Sequence, residues 1–131
     1  MTVVVSADTE ADLFERSAYA VFDLCFALED IAPRYSRPIV APGNDLSDLL
    51  FGWLSELLAA SADASIAFSM FNVDRLEEGG VQGWASGMPT GEVARRSKPV
   101  VAIEEVVVDT DRGETFTAEI RARREPMLRL V

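Results

Sequence analysis

The apolar residues of this chain recur every three or four positions in its first half and every two positions in its second, and this change of period near Ser61 restricts the fold more than any other feature. In ADLFERSAYAVFDLCFAL, the residues Leu13, Phe14, Ala18, Val21, Leu24, Cys25 and Leu28 form one broad apolar face, which Phe22 and Phe26 widen. Thr9 is placed to cap this helix, because Asp12 follows three residues later and Glu10 and Asp12 complement the positive end of the helix dipole. The apolar spacing predicts a helix that continues to residues 30–33, where Pro33 ends the hydrogen-bond ladder. A second helix, capped by Asn44 or Asp45, is expected over DLSDLLFGWLSELLAA, with Leu46, Leu49, Leu50, Trp53, Leu54, Leu57 and Leu58 on its inner face. Gly52 costs about 1 kcal/mol there relative to Ala, which either close packing or simple tolerance explains.

The remaining segments read as strands and connections. Residues 3–5 predict a short strand, and residues 36–44 predict an extended loop with an edge strand at 38–40, because Pro38 and Pro42 lack donors for a central strand. After Ser61, Ala64, Ile66, Phe68 and Met70 alternate with Ser65, Ala67, Ser69 and Phe71, which predicts a strand with one face strongly buried. Further strands are expected at 81–88, after the Gly79-Gly80 turn, at 100–108 and at 116–123, with a hairpin connection at 109–113. Helices early and strands late predict an α+β architecture, with two helices packed on one face of a mixed, mainly antiparallel sheet. At 131 residues the chain fits a single domain spanning 1–131.

Composition excludes several chemistries. The formal net charge is −10, and all of it lies in residues 1–79, which hold 14 acidic and 4 basic side chains against 8 of each in residues 80–131. Such a field repels a phosphate backbone, so direct nucleic-acid binding is not expected. No histidine occurs, which removes imidazole metal sites and the usual general base near neutral pH. Cys25 has no partner for an internal disulfide and reads as a buried structural thiol. No stretch reaches 18 uninterrupted apolar residues and the N-terminal segment has no signal-peptide pattern, so neither a membrane nor a secreted location is expected and the cytoplasm is the default.

Neither a Gly-rich phosphate loop nor the CxxC, HExxH or GxSxG patterns occur, so no residue is assigned as catalytic, cofactor-binding or metal-ligating and no cofactor is expected. The residues weighed for such roles have ordinary alternatives. Asp109 and Asp111 supply oxygen ligands suited to a hard cation, but Asp also builds hairpin turns. Glu104 and Glu105 interrupt an apolar strand, where alternation sends one of them toward the helices unless the strand is an edge or carries a bulge. Glu56 lies opposite the apolar stripe of the second helix, and Trp84 sits in a Gly-rich strand with no basic track around it. Arg95, Arg96, Lys98, Arg121, Arg123, Arg124 and Arg129 either form a basic patch or, as preferred, occupy solvated strand faces.

The two helical segments also carry a family resemblance. ADLFERSAYAVFDL is similar to an ELFxxAAxAxFxL helix and LLFGWLSELL to an LLxxWLxELL helix of the archease family, and PVVAIEEVVV with FTAEIRAR fits that family's two C-terminal strands. The resemblance implies the archease α+β fold and a role as a non-enzymatic accessory protein of the RNA ligase that acts in tRNA splicing, working through protein–protein contact. Archeases bind a divalent metal through an N-terminal HTAD segment and a C-terminal aspartate. Here no HTAD segment occurs, the position fitted to the aspartate is Arg123, and the positions fitted to the family's lysine and threonine are Pro99, or Lys98 after a one-residue shift, and Ala102. The metal site is therefore not transferred. Two further readings are a scaffold that serves an unrelated protein partner, and a small metal-dependent enzyme using carboxylates such as Glu104 or Asp109.

Overall fold

The structure is a computed structural model that describes residues 1–95, 100–111 and 114–124. Its order is β1 (Thr2–Ala7), α1 (Glu10–Asp23), β2 (Tyr35–Pro42), α2 (Leu46–Ala64), β3 (Ile66–Glu77), β4 (Gly80–Pro89), β5 (Val100–Asp111) and β6 (Thr115–Arg124), with single 3₁₀ turns at Leu28–Asp30 and Thr90–Glu92. The α+β expectation holds. The strands, however, form two three-stranded sheets in place of one, ordered β1-β6-β5 and β2-β4-β3, and every pairing is antiparallel.

Both helix starts follow from capping chemistry. The Thr9 hydroxyl accepts from the Asp12 N–H at 3.1 Å, and the Asp45 carboxylate accepts from the Asp48 N–H at 2.8 Å. Helix α1 stops at Asp23, short of the expected residues 30–33: its last turn tightens as the Cys25 N–H takes the Phe22 carbonyl three residues back, and the chain then pairs with the segment before β5 through Phe26 and Arg95. Cys25, Phe26 and Leu28 are nonetheless buried, so the apolar spacing continues beyond the helix that it predicts.

Each helix packs on an edge strand of both sheets, α1 on β1 and β3 and α2 on β2 and β5. Unpaired strand edges need partners, and helix side chains supply some of them. Glu15 of α1 accepts the Val73 N–H of β3 at 2.8 Å, and Ser47 of α2 accepts the Val108 N–H of β5 at 2.9 Å. On β2, Pro38 and Pro42 share one side of the strand and have no N–H to give β4, so their nitrogens face the free edge and deny it two donors. Gly52 is explained by close packing, since a Cβ there would lie 3.0 Å from the Pro42 carbonyl oxygen and 3.2 Å from the Ala41 Cβ.

Between the layers lies one hydrophobic cluster with Trp53 at its centre. Trp53 is fully buried, its indole N–H donates to the Phe14 carbonyl at 3.2 Å, and its ring lies against Gly83 of β4, where any Cβ would clash with it and with the Asn72 backbone. Strand β3 departs from simple alternation. A bulge at Ser69 exposes Met70, which unbroken alternation places inside, and turns Phe71 toward Phe22 at 5.4 Å between ring centroids.

These contacts predict a rank order of stability. Trp53→Phe, which opens a cavity and removes the indole donor, should cost about 3 kcal/mol, and Gly83→Ala should cost about 2 kcal/mol or more through overpacking. Ser47→Ala should cost only about 1 kcal/mol, because a single edge N–H loses its partner. Urea denaturation midpoints with unchanged slopes check the order.

Candidate functional site

The start of β5 and the end of β6 bring Glu104 and Glu105 together with Arg121, Arg123 and Arg124. Val100 lies opposite Arg124, Ala102 opposite Arg123 and Glu105 opposite Arg121. Below them is a cleft of 420 Å³ between the C-terminal ends of α1 and α2, walled by Phe22, Phe26, Leu58, Val100 and Val101, with Cys25 at its floor and Arg95 at its rim. Arg95 lies over the Phe26 ring, with 5.6 Å from its guanidinium carbon to the ring centroid. Sequence reasoning missed this cleft, because its walls come from three elements whose apolar residues all read as core.

Two bulges set the chemistry of β5. They fall at Val101 and Glu104, and they place Val100, Ile103 and Val106 inward at a spacing of three. Glu104 and Glu105 are consequently both exposed, and neither approaches the helices. Glu105 pairs with Arg121 at 2.9 Å, an exposed ion pair worth under about 1 kcal/mol. Arg123 is exposed, whereas the Arg124 Nε is buried and makes no hydrogen bond among the described residues. Of the other weighed basic residues, Arg96, Lys98 and Arg129 lie outside the described residues.

Asp109 and Asp111 belong to β5 itself, opposite Thr117 and Thr115, and not to the connection expected at 109–113. The β5–β6 ladder continues through Asp111, and the Glu114 N–H returns to the Asp111 carbonyl at 2.9 Å. Both side chains are exposed, and among the described residues no three potential ligands of the Cys, Asp and Glu type gather to hold a metal. Glu56 is exposed in a groove with Arg37 and Asp63, which pair at 3.6 Å. Trp84 stands exposed between Pro38 and Asn72, neither of which supplies a cation.

The archease metal does not fit the residues present. At the position fitted to the metal-binding aspartate Arg123 brings a positive charge; of the positions fitted to the family's lysine and threonine, Ala102 has no polar side-chain atom, and Lys98 and Pro99 lie outside the described residues.

Cys25 is buried, with its sulfur accepting from the Val100 N–H at 3.2 Å. Burial pushes its thiol above the ordinary range, and the Val100 N–H and the charges of Arg124 and Arg95 offset this in part. A raised native value means that this thiol's contribution to stability is full below the unfolded pKa and is lost as pH rises through the native one. Stability should therefore fall above about pH 8.5, and Cys25→Ala should flatten that decline in urea titrations across the alkaline range. Native protein should also react far more slowly than urea-unfolded protein with a thiol reagent at about pH 8.

With this geometry in place, comparison with known proteins is direct. The sequence profile of the Archease protein family matches residues 1–103. The protein archease of Methanopyrus kandleri is 41% identical over 89 residues, covering 67% of this chain and 62% of that protein. The protein archease of Methanosarcina barkeri is 36% identical over 70 residues, covering 53% of this chain and 48% of its own length. The solution structure of Methanobacterium thermoautotrophicum protein 1598 superposes with a TM-score of 0.71 at 20% identity, over 91% of this chain and 88% of that one. That structure shares the fold, and the profile match over most of the sequence shows that this chain belongs to the archease family.

Proposed function

We propose that this protein is an accessory factor of an RNA ligase of the tRNA-splicing type, working in the cytoplasm through protein–protein contact and catalysing no bond-making step itself. Membership of the archease family is the observation that carries this reading. The charge distribution supports a protein partner over RNA, because the 14 acidic and 4 basic side chains of residues 1–79 favour a basic protein surface and disfavour phosphates. Among the described residues no helix is long and apolar enough to cross a membrane.

A second reading is favoured by Arg123, which stands where the family resemblance places a metal-binding aspartate. On that reading the framework serves a different protein partner. The two separate in a multiple-turnover ligation assay with limiting purified RNA ligase from the same organism. The accessory role predicts more product per ligase when this protein is added, with the gain weakening as salt rises through about 0.1 M and screens the steering charges. Unchanged turnover at low salt would assign the framework to another partner.

The misfit of the metal site gives a second expectation. Calcium or magnesium at millimolar concentration should leave the thermal midpoint where EDTA leaves it, because a cation that does not bind the native state adds no stability. A cation-dependent rise would instead support the metal-dependent reading built on carboxylates such as Glu104 or Asp109.

A further inference from the structure

We propose that the cleft between the ends of α1 and α2 is a binding site for a small organic anion with an aliphatic body, of the medium-chain carboxylate class. The cleft is 420 Å³, within the size range of small-molecule sites, and its walls are mainly apolar with few polar groups. Phe22, Phe26, Leu58 and Val101 offer contact for an alkyl chain, and Val101 is turned into the cleft by the first β5 bulge.

The sign of the ligand's charge follows from the rim. Among the described residues that line the cleft none bears a carboxylate, and Arg95 is the one charged side chain. Arg95 has no ion pair among the described residues, and its contact with the Phe26 face leaves its N–H groups free to donate. Arg124, opposite Val100, adds a second positive charge from the neighbouring strand. The C-terminal ends of both helices disfavour an anion by their dipoles, and part of each is taken up: the Phe22 carbonyl of α1 accepts from the Cys25 and Phe26 N–H groups, the Ser61 carbonyl of α2 accepts from the Ser65 N–H, and the Ser65 carbonyl accepts from the Thr90 N–H. The anionic head is therefore directed to Arg95, and the aliphatic body to the α2 side.

Ser65, which lines the cleft, is the left-handed cap of α2, with φ 54°, and it turns the chain directly from α2 into β3 along the cleft wall.

Amide spectra of the full chain titrated with octanoate, 1-octanol and acetate test the proposal. Octanoate should shift the amides of Phe26, Ser65, Arg95 and Val101 in a saturable way, 1-octanol should bind about fivefold more weakly, and acetate should produce no saturable shift there. Arg95→Gln, at an exposed position, should abolish the preference for octanoate over 1-octanol while both still bind. Leu58→Trp should block both ligands, with the amides of β1 and β6 reporting an intact fold. The proposal is overturned if octanoate gives no saturable shift at the cleft, if 1-octanol binds the unaltered protein as well as octanoate, or if Arg95→Gln retains the preference.

Discussion

Two three-stranded sheets have four edge strands, and the need to cover those edges governs how this molecule is built. Neither sheet pairs with the other, so the helices cover the edges instead, α2 spanning from β5 to β2 and α1 from β3 to β1. The contacts are specific. A carboxylate and a hydroxyl receive edge N–H groups of β3 and β5, a glycine lets α2 press on a carbonyl of β2, and two prolines leave the free edge of that same strand poor in donors. Trp53 completes the arrangement, because its ring fills the space between the helices and β4 and its N–H reaches α1. The apolar stripes of both helices are broad for this reason, since each must meet two sheets.

Much of this is legible in the sequence where a single local rule decides the outcome. Thr9 and Asp45 cap their helices, Trp53 is buried and Cys25 is a core thiol, all as side-chain chemistry and periodicity require. The departures share one physical origin. Period-two reasoning assumes an unbroken ladder, and bulges at Ser69, Val101 and Glu104 each insert a residue that reverses the faces beyond it. Unbroken alternation thereby assigns Met70 to the core in place of Phe71, and directs one of Glu104 and Glu105 toward the helices unless a bulge intervenes. The division into two sheets is equally hidden, because alternation along a strand says nothing about which neighbour it pairs with.

The bulges in β5 also link fold to site. Regular alternation from Val100 would send Ile103 to solvent, whereas the residue inserted at Val101 brings Ile103 into the core and the one inserted at Glu104 keeps Val106 there. The inserted residues are then free of packing duty, so Val101 lines the cleft and Glu104 joins the solvent face. A segment that looks like a hydrophobic strand interrupted by acid is thus a strand with a core spacing of three. Its outward positions are available for chemistry without loss of the core.

The framework and the chemistry at its strand ends are accordingly separable. The motifs that carry the family likeness, around Leu13 and Phe14 in α1 and around Trp53 and Leu57 in α2, are core residues whose requirement is packing, and they hold the fold whatever lies at the end of β6. At that end Arg121 is neutralised by Glu105, whereas Arg123 faces solvent opposite Ala102, which has no charge to offer it. A divalent cation there would lose several oxygen ligands and meet a like charge, while the packing beneath it would be undisturbed. Kinship at the level of the fold therefore rests on buried residues and carries the architecture to this chain. The function must be argued separately from the strand ends, where Arg95, Arg123 and Arg124 give the start of β5 and the end of β6 a positive character within an acidic protein.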